Sequence, residues 1–193
     1  MKGTAMTDTS SVSGLAAQAM SPEMALERVA LQHLVYAYCH AADRRDFALL
    51  RSLYTDDAID DHGAFNGPVD DFVPWFRDGL AVFEATAHNI LNTLFIVDGD
   101  QAQGEIRAIA YHRLAGSRAE IIAGGRYLDR YRKTGGAWRF TYRSFVIDWI
   151  EERAASRTPG EAFGPSVAIG GAGADDPTYH RLDLFAADRA SRS

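Results

Sequence analysis

His88-Asn89-Ile90-Leu91-Asn92-Thr93-Leu94-Phe95-Ile96-Val97, closed by Asp98-Gly99-Asp100, is where this chain changes its period. Before it, apolar residues recur at helical spacing. After it they form strand-like runs cut by turn residues. The turn at Asp98-Gly99-Asp100 leads into a second strand over 102–114, and Gly116-Ser117 marks the next break. Two more long strands, 121–131 and 138–149, join at Thr134-Gly135-Gly136, a hairpin signal. A short strand is also expected over 58–62.

Upstream, Ser21-Pro22-Glu23 opens a helix: Ser caps, Pro suits the first turn and Glu favours the dipole. Leu26, Val29, Ala30, His33, Leu34, Ala37 and Tyr38 then give one apolar stripe. A short helix follows Asp46, with Phe47, Leu50, Leu53 and Tyr54 inward. Asp70 is expected to cap a third, with Pro74 in its first turn and Phe72, Phe76, Leu80 and Phe83 on its inner face. Helices first and antiparallel strands second predict an α+β domain whose sheet curls around the helices.

A chain of 193 residues has room for one domain with a real core, and 47% apolar residues exclude a fully disordered chain. The net charge of -6, with basic residues scattered, argues against nucleic-acid binding. A single cysteine, Cys39, excludes an internal disulfide and fits a reducing compartment. No signal peptide and no bilayer-length apolar run are visible, so a cytoplasmic protein with no membrane partner is expected. Residues 1–20, rich in Ser, Thr, Ala and Gly, read as disordered, and 21–153 as the folded domain. The glycine-rich extension 154–193 reads either as a loose tail or as a segment whose Tyr179, Leu184 and Phe185 dock on a neighbouring subunit or close a pocket.

Asp43, at the end of the first helix, and His88, opening the strand run, are the chemically informative pair. A carboxylate that orients an imidazole makes a general base at neutral pH. Each also has a bland reading: a solvated helix-end acid, and a core histidine bonded to backbone. Tyr38 and Tyr54 extend apolar helical stripes, yet a buried phenol needs a partner, which a substrate hydroxyl can supply. Asn92 is expected on the strand face of His88. His62, in Asp60-Asp61-His62-Gly63, is a turn or pocket residue. Arg107 and Arg126 read as members of surface ion pairs. His62, His88 and His112 with Asp60 or Asp61 lack metal-ligand spacing, so no metal is expected.

Taken in order, Tyr38-x-x-x-x-Asp43-x-x-Asp46-Phe47, Tyr54-Thr55-Asp56-Asp57-Ala58, Asp61-His62-Gly63, Thr86-Ala87-His88-x-x-x-Asn92, Ala110-Tyr111-His112-Arg113, Gly124-Gly125-Arg126-Tyr127 and Trp138-Arg139-x-x-x-Arg143 resemble a SnoaL-like member of the nuclear transport factor 2 superfamily. The resemblance covers 21–153. It implies a cone-shaped α+β barrel, with helices packed in a curved antiparallel sheet and an apolar pocket at the open end. In similar enzymes (scytalone dehydratase, bile-acid dehydratase, hexachlorocyclohexane dehydrochlorinase) an Asp–His pair removes a proton from carbon without a cofactor. Carried over by position, the resemblance makes His88, Asp43 and Tyr38 catalytic. Tyr54, His62, Phe72, Trp75, Phe76, Phe83, Asn92 and His112 would contact the substrate, with a one-residue slip enough to turn His112 outward.

The implied function is a cofactor-independent, dehydratase-like lyase acting on a small to medium apolar, hydroxylated or aromatic molecule. Carbon–carbon lyase, double-bond isomerase, and non-catalytic ligand-binding or oxygenase small-subunit roles are the alternatives on this scaffold. A homotrimer is implied, with a dimer as runner-up, and Ile106, Ile109 and Ile147 are expected to supply the apolar outer face.

Overall fold

The computed structural model describes residues 20–117 and 119–192; nearly all of the segment 1–20, read above as disordered, lies outside them. Helices α1 (Pro22–Asp43), α2 (Phe47–Ser52) and α3 (Val69–Leu80) cover one face of a six-stranded sheet of β1 (Tyr54–Asp61), β2 (Asn66–Pro68), β3 (Phe83–Asp98), β4 (Gln101–Leu114), β5 (Ala119–Thr134) and β6 (Ala137–Ala154). The strand order is β2-β1-β6-β5-β4-β3. The architecture is the expected α+β cone, with two corrections. The sheet is open rather than closed into a barrel, and it is mixed, because β1 pairs with β6 in parallel. A parallel pair needs a long crossover, here everything from β2 to β5, so local turn signals carry no trace of it.

Local chemistry explains the helix ends. Ser21 Oγ accepts from the Met24 N–H at 3.2 Å, and Pro22 occupies the first turn of α1. Arg45 takes a positive φ of 52°, a costly conformation for a side chain with a Cβ, and turns the chain into α2. Asp46 caps α2 through the Leu49 N–H at 2.9 Å. Helix α3 begins at Val69 with no side-chain cap, so Asp70 lies inside its first turn and pairs with Arg51 instead. Pro74 therefore sits in the helix interior, and Phe83 belongs to β3, where the short linker after Leu80 has already ended the helix.

The buried stripe of α1 is Leu31, Leu34, Val35, Tyr38, Cys39, Ala41 and Ala42. Leu26 and Val29, expected in it, are 69% and 62% exposed. The helix carries apolar residues on two faces, and periodicity cannot say which meets the sheet. The outer face joins the C-terminal extension around a groove of about 840 Å³ lined by Leu26, Val29, Ala37, His40, Tyr179 and Phe185. Helices α4 (Pro159–Phe163), α5 (Pro177–Arg181) and α6 (Asp183–Ala190) make up that extension. It packs on its own chain. The Gly173 N–H donates to Arg44 O at 2.8 Å, Arg44 meets Asp176 at 2.7 Å, Tyr179 Oη and His40 Nε2 share a hydrogen bond of 2.9 Å, and Arg189 and Arg192 reach Asp46.

Ile106 points into the core, opposite to expectation; Leu94, Leu128 and Trp149 are among the exposed apolar residues of the sheet. Arg126 forms the expected surface pairs, with Asp148 and Glu105. No described helix is long and apolar enough to cross a membrane.

Candidate functional site

Helix α1 ends at Asp43, and β3 and β4 bring His88 and His112 to the same place. Antiparallel pairing sets Thr86 opposite His112 and His88 opposite Ala110, which pairs in turn with Ala123, so alternate residues share the inner face and small side chains flank His88. Asp43 accepts three hydrogen bonds: from the His88 backbone N–H at 2.8 Å, from His88 Nδ1 at 2.7 Å and from the Thr86 hydroxyl at 2.9 Å. An ionised carboxylate only accepts, so Nδ1 carries a proton, and in the neutral ring Nε2 keeps its lone pair.

The side chains of Asp43 and His88 are 11% and 6% exposed. Burial alone raises the Asp43 pKa, but the hydrogen bonds it accepts from His88 and Thr86 outweigh it and hold the carboxyl below its ordinary range. Arg45 fixes this corner from behind. Its Nη1 donates to Ala42 O at 2.9 Å and to Thr86 Oγ1 at 3.1 Å, and its Nη2 donates to Leu80 O at 3.2 Å.

His112 faces inward, with its ring edge-on to His88 at 5.5 Å between centroids and 4.8 Å from Phe83. Burial pushes its pKa down to about 4, so it is neutral at physiological pH.

Tyr38 points elsewhere. It is fully buried, with its ring 5.8 Å from Tyr127 and 6.0 Å from Phe140, and its hydroxyl has no hydrogen-bond partner. Burial pushes its pKa far above the usual tyrosine value. The Arg143 guanidinium lies 4.1 Å from the Tyr38 ring centre and is held by Asp129 through bonds of 2.9 and 2.7 Å. Asn92 is exposed: the register shift between Ile90 and Thr93 takes it out of the alternation that includes His88.

A second acid–imidazole pair lies on β1 and just beyond it. Asp60, completely buried, hydrogen-bonds His62 Nδ1 through one oxygen and accepts from the Tyr54 hydroxyl at 2.6 Å through the other. The His62 ring contacts Phe72 at 5.0 Å, Phe76 at 5.7 Å and Trp75 at 6.5 Å, all on α3. The expected pocket residues thus fall into two groups: His88, Asp43, His112 and Phe83 at one end of α3, and His62, Tyr54, Phe72, Trp75 and Phe76 at the other. Sequence reasoning missed Thr86, Arg45 and the pairing of Asp60 with His62. The last had a signal, since residues two apart along an extended chain share a face. Among the described residues, no group of three or more His, Cys, Asp or Glu side chains is placed to hold a metal ion.

Comparison with known proteins agrees with this fold. A curated, uncharacterized protein of Mycobacterium tuberculosis (strain H37Rv) is 31% identical over 122 residues, 61% of this chain and 82% of the relative. The solved structure of hexachlorocyclohexane dehydrochlorinase LinA-type3 from Novosphingobium barchaimii LL02 superposes with a TM-score of 0.64 at 18% identity, covering 70% of this chain and 97% of that one. A candidate scytalone dehydratase from Novosphingobium aromaticivorans gives a TM-score of 0.62 at 22% identity, covering 70% and 95%. At such identities the structures share the fold. The family model of the SnoaL-like domain matches residues 23–144, a span that takes in both acid–imidazole pairs, and this chain belongs to that family.

Proposed function

We propose that this protein is a cofactor-independent lyase that removes a proton from carbon in a small to medium, largely apolar, hydroxylated substrate and expels a hydroxyl group as water. The observation that carries the reading is the Asp43–His88 contact of 2.7 Å, with the carboxylate on Nδ1 and Nε2 left as a base. His88 Nε2 takes the proton. Asp43 keeps the ring in the productive tautomer and stabilises the imidazolium that forms. Neutral His112, edge-on to His88, adds no competing positive charge. The dehydratase and dehydrochlorinase named above lend support at the level of scaffold, since a shared fold hosts many chemistries.

The proposal includes a homo-oligomer, trimer before dimer, supported by exposed Leu94, Leu128 and Trp149 on the sheet.

The test uses 3-hydroxy-1-phenylpropan-1-one, whose loss of water gives a conjugated enone visible in the ultraviolet. Wild type is expected to turn it over, and His88→Ala to lose at least about a hundredfold while keeping its fold. Full activity in a folded His88→Ala protein overturns the assignment, and size-exclusion chromatography with light scattering reads the oligomer.

A further inference from the structure

We propose that Arg44 and Asp176 are positioning residues: by clamping the C-terminal extension onto the elbow after α1, they hold Asp43 in line with His88. How Asp43 is aimed is a matter of geometry whatever the reaction; only the turnover arm of the test rests on the lyase reading above.

Asp43 is the last residue of α1, and an unfavourable piece of backbone follows it. Arg45 takes a φ of 52°, a conformation that persists only where its surroundings enforce it. Two sets of contacts do so, one on each side of the elbow. On the inner side, Asp43 accepts from His88 and Thr86, and Arg45 donates to Thr86 Oγ1 and Leu80 O. On the outer side, the alternate residues Arg44 and Asp46 meet the extension. Arg44 O accepts from the Gly173 N–H at 2.8 Å, and Arg44 Nη1 donates to Gly171 O at 2.9 Å and to Asp176 at 2.7 Å. Asp46, which caps α2, takes Arg192 at 2.8 Å and Arg189 at 3.3 Å. One turn before Asp43, His40 Nε2 and Tyr179 Oη share a hydrogen bond of 2.9 Å.

The clamp is built for this contact. Asp176 is buried, and its carboxylate also accepts from the Gly171 and Thr178 N–H groups at 2.8 and 2.9 Å, so one side chain organises the loop that covers Arg44. A Cβ at Gly170 would stand only 3.3 Å from Arg44 Nη1, so the glycine run lets the backbone pass close to the guanidinium. The extension lies beyond residues 23–144, which match the family, while Asp43 and His88 lie within them.

Coupling between clamp and site needs no chain of intervening side chains. Arg44 is joined to Asp43 by one peptide bond, and the four elbow residues alternate between the two sets of partners. Releasing the outer set leaves the elbow held from one side, free to relax toward commoner backbone angles and to carry the Asp43 carboxylate away from Nδ1.

Solvent exchange of the His88 Nδ1 proton, followed by NMR, counts the excursions in which Asp43 lets go. In the full chain, Asp176→Ala and Arg44→Ala should each speed this exchange by about 5–150-fold, the usual range for coupled sites. Arg126→Ala, which breaks a surface pair elsewhere, should leave it unchanged. Arg44→Lys should stay near wild type, because one nitrogen, Nη1, makes both side-chain contacts and an ammonium can replace it. With 3-hydroxy-1-phenylpropan-1-one, Asp176→Ala should lower kcat by about 10–100-fold with KM little changed, as expected for a misaligned catalytic group. Exchange at the wild-type rate in Asp176→Ala overturns the proposal, whether or not the extension has come loose, and leaves the lyase reading standing. Faster exchange in Asp176→Ala, with no turnover by wild type, upholds the positioning role and overturns the lyase reading.

Discussion

Replacing Asp43 with asparagine tests the proposed catalytic corner without altering its shape. The carboxylate receives three donors between 2.7 and 2.9 Å, two of them from His88 and one from Thr86. A net bond to a charged group is worth about 1.5–3 kcal/mol and a neutral one about 0.5–1.5, so neutralising the acceptor loses roughly 1 kcal/mol per bond. The asparagine oxygen cannot serve donors on both sides, and its NH₂ group turns one former bond into a donor facing a donor. The expected destabilisation is therefore about 3–5 kcal/mol, read by urea unfolding. The His88 ring has an escape: it can move its proton to Nε2 and accept from the amide through Nδ1. That relieves the clash but removes the proposed base. Imidazole ¹⁵N shifts should report the change of tautomer, and turnover of the hydroxy ketone should fall by about 10²–10⁴. An unchanged tautomer with stability within 1 kcal/mol of wild type would refute the claim that Asp43 organises this corner.

The same carboxylate predicts an acid limb. Its folded pKa lies below the unfolded value of about 3.9, so its stabilisation is complete above that pH and disappears as the pH falls through the folded value. The stability gap between wild type and Asp43→Asn should shrink below pH 4, and a constant gap down to pH 2 would contradict this. Asp129→Asn leaves the buried Arg143 cation without its partner and should cost about 3–5 kcal/mol, whereas Asp129→Leu with Arg143→Met should cost less; a double variant worse than the single one sinks the argument. Asp176→Ala removes the partner of Arg44 and the acceptor of the Gly171 and Thr178 N–H groups. Trypsin should then cut first after Arg181, and an unchanged digestion pattern would show that the extension is held by other contacts.

The helix-to-strand switch, the four long strands and the turns between them were legible because Gly99, Gly116 and Gly135 mark reversals that need positive φ. The inner residues of β3 followed from alternation until the irregularity after Ile90, which moved Asn92 outward. The buried face of α1 was not legible, since both its apolar stripes have partners, one in the sheet and one in the C-terminal extension. Asp43 and His88 were legible as a pair through resemblance rather than through spacing. The pairing of Asp60 with His62 was not legible because two acids and a histidine in a row look like a solvated turn until the parallel partner strand buries Asp60. Thr86 and Arg45 carry no sequence mark of their own; their importance comes from where α3 ends.

The pairing of β1 with β6 has a consequence for biosynthesis. Ser144 and Asp61 meet across 83 residues of chain, and Thr55 meets Phe140 across 85. At about 5–20 residues per second, the ribosome needs roughly 4–17 s to supply the second partner after making the first. During that interval Asp60 and His62 have no wall to sit against, while the β3–β4 hairpin that carries His88 can already close. A nascent chain stalled before residue 140 would therefore expose an unpaired β1 edge, the kind of surface that chaperones hold and that recruits other unfinished chains.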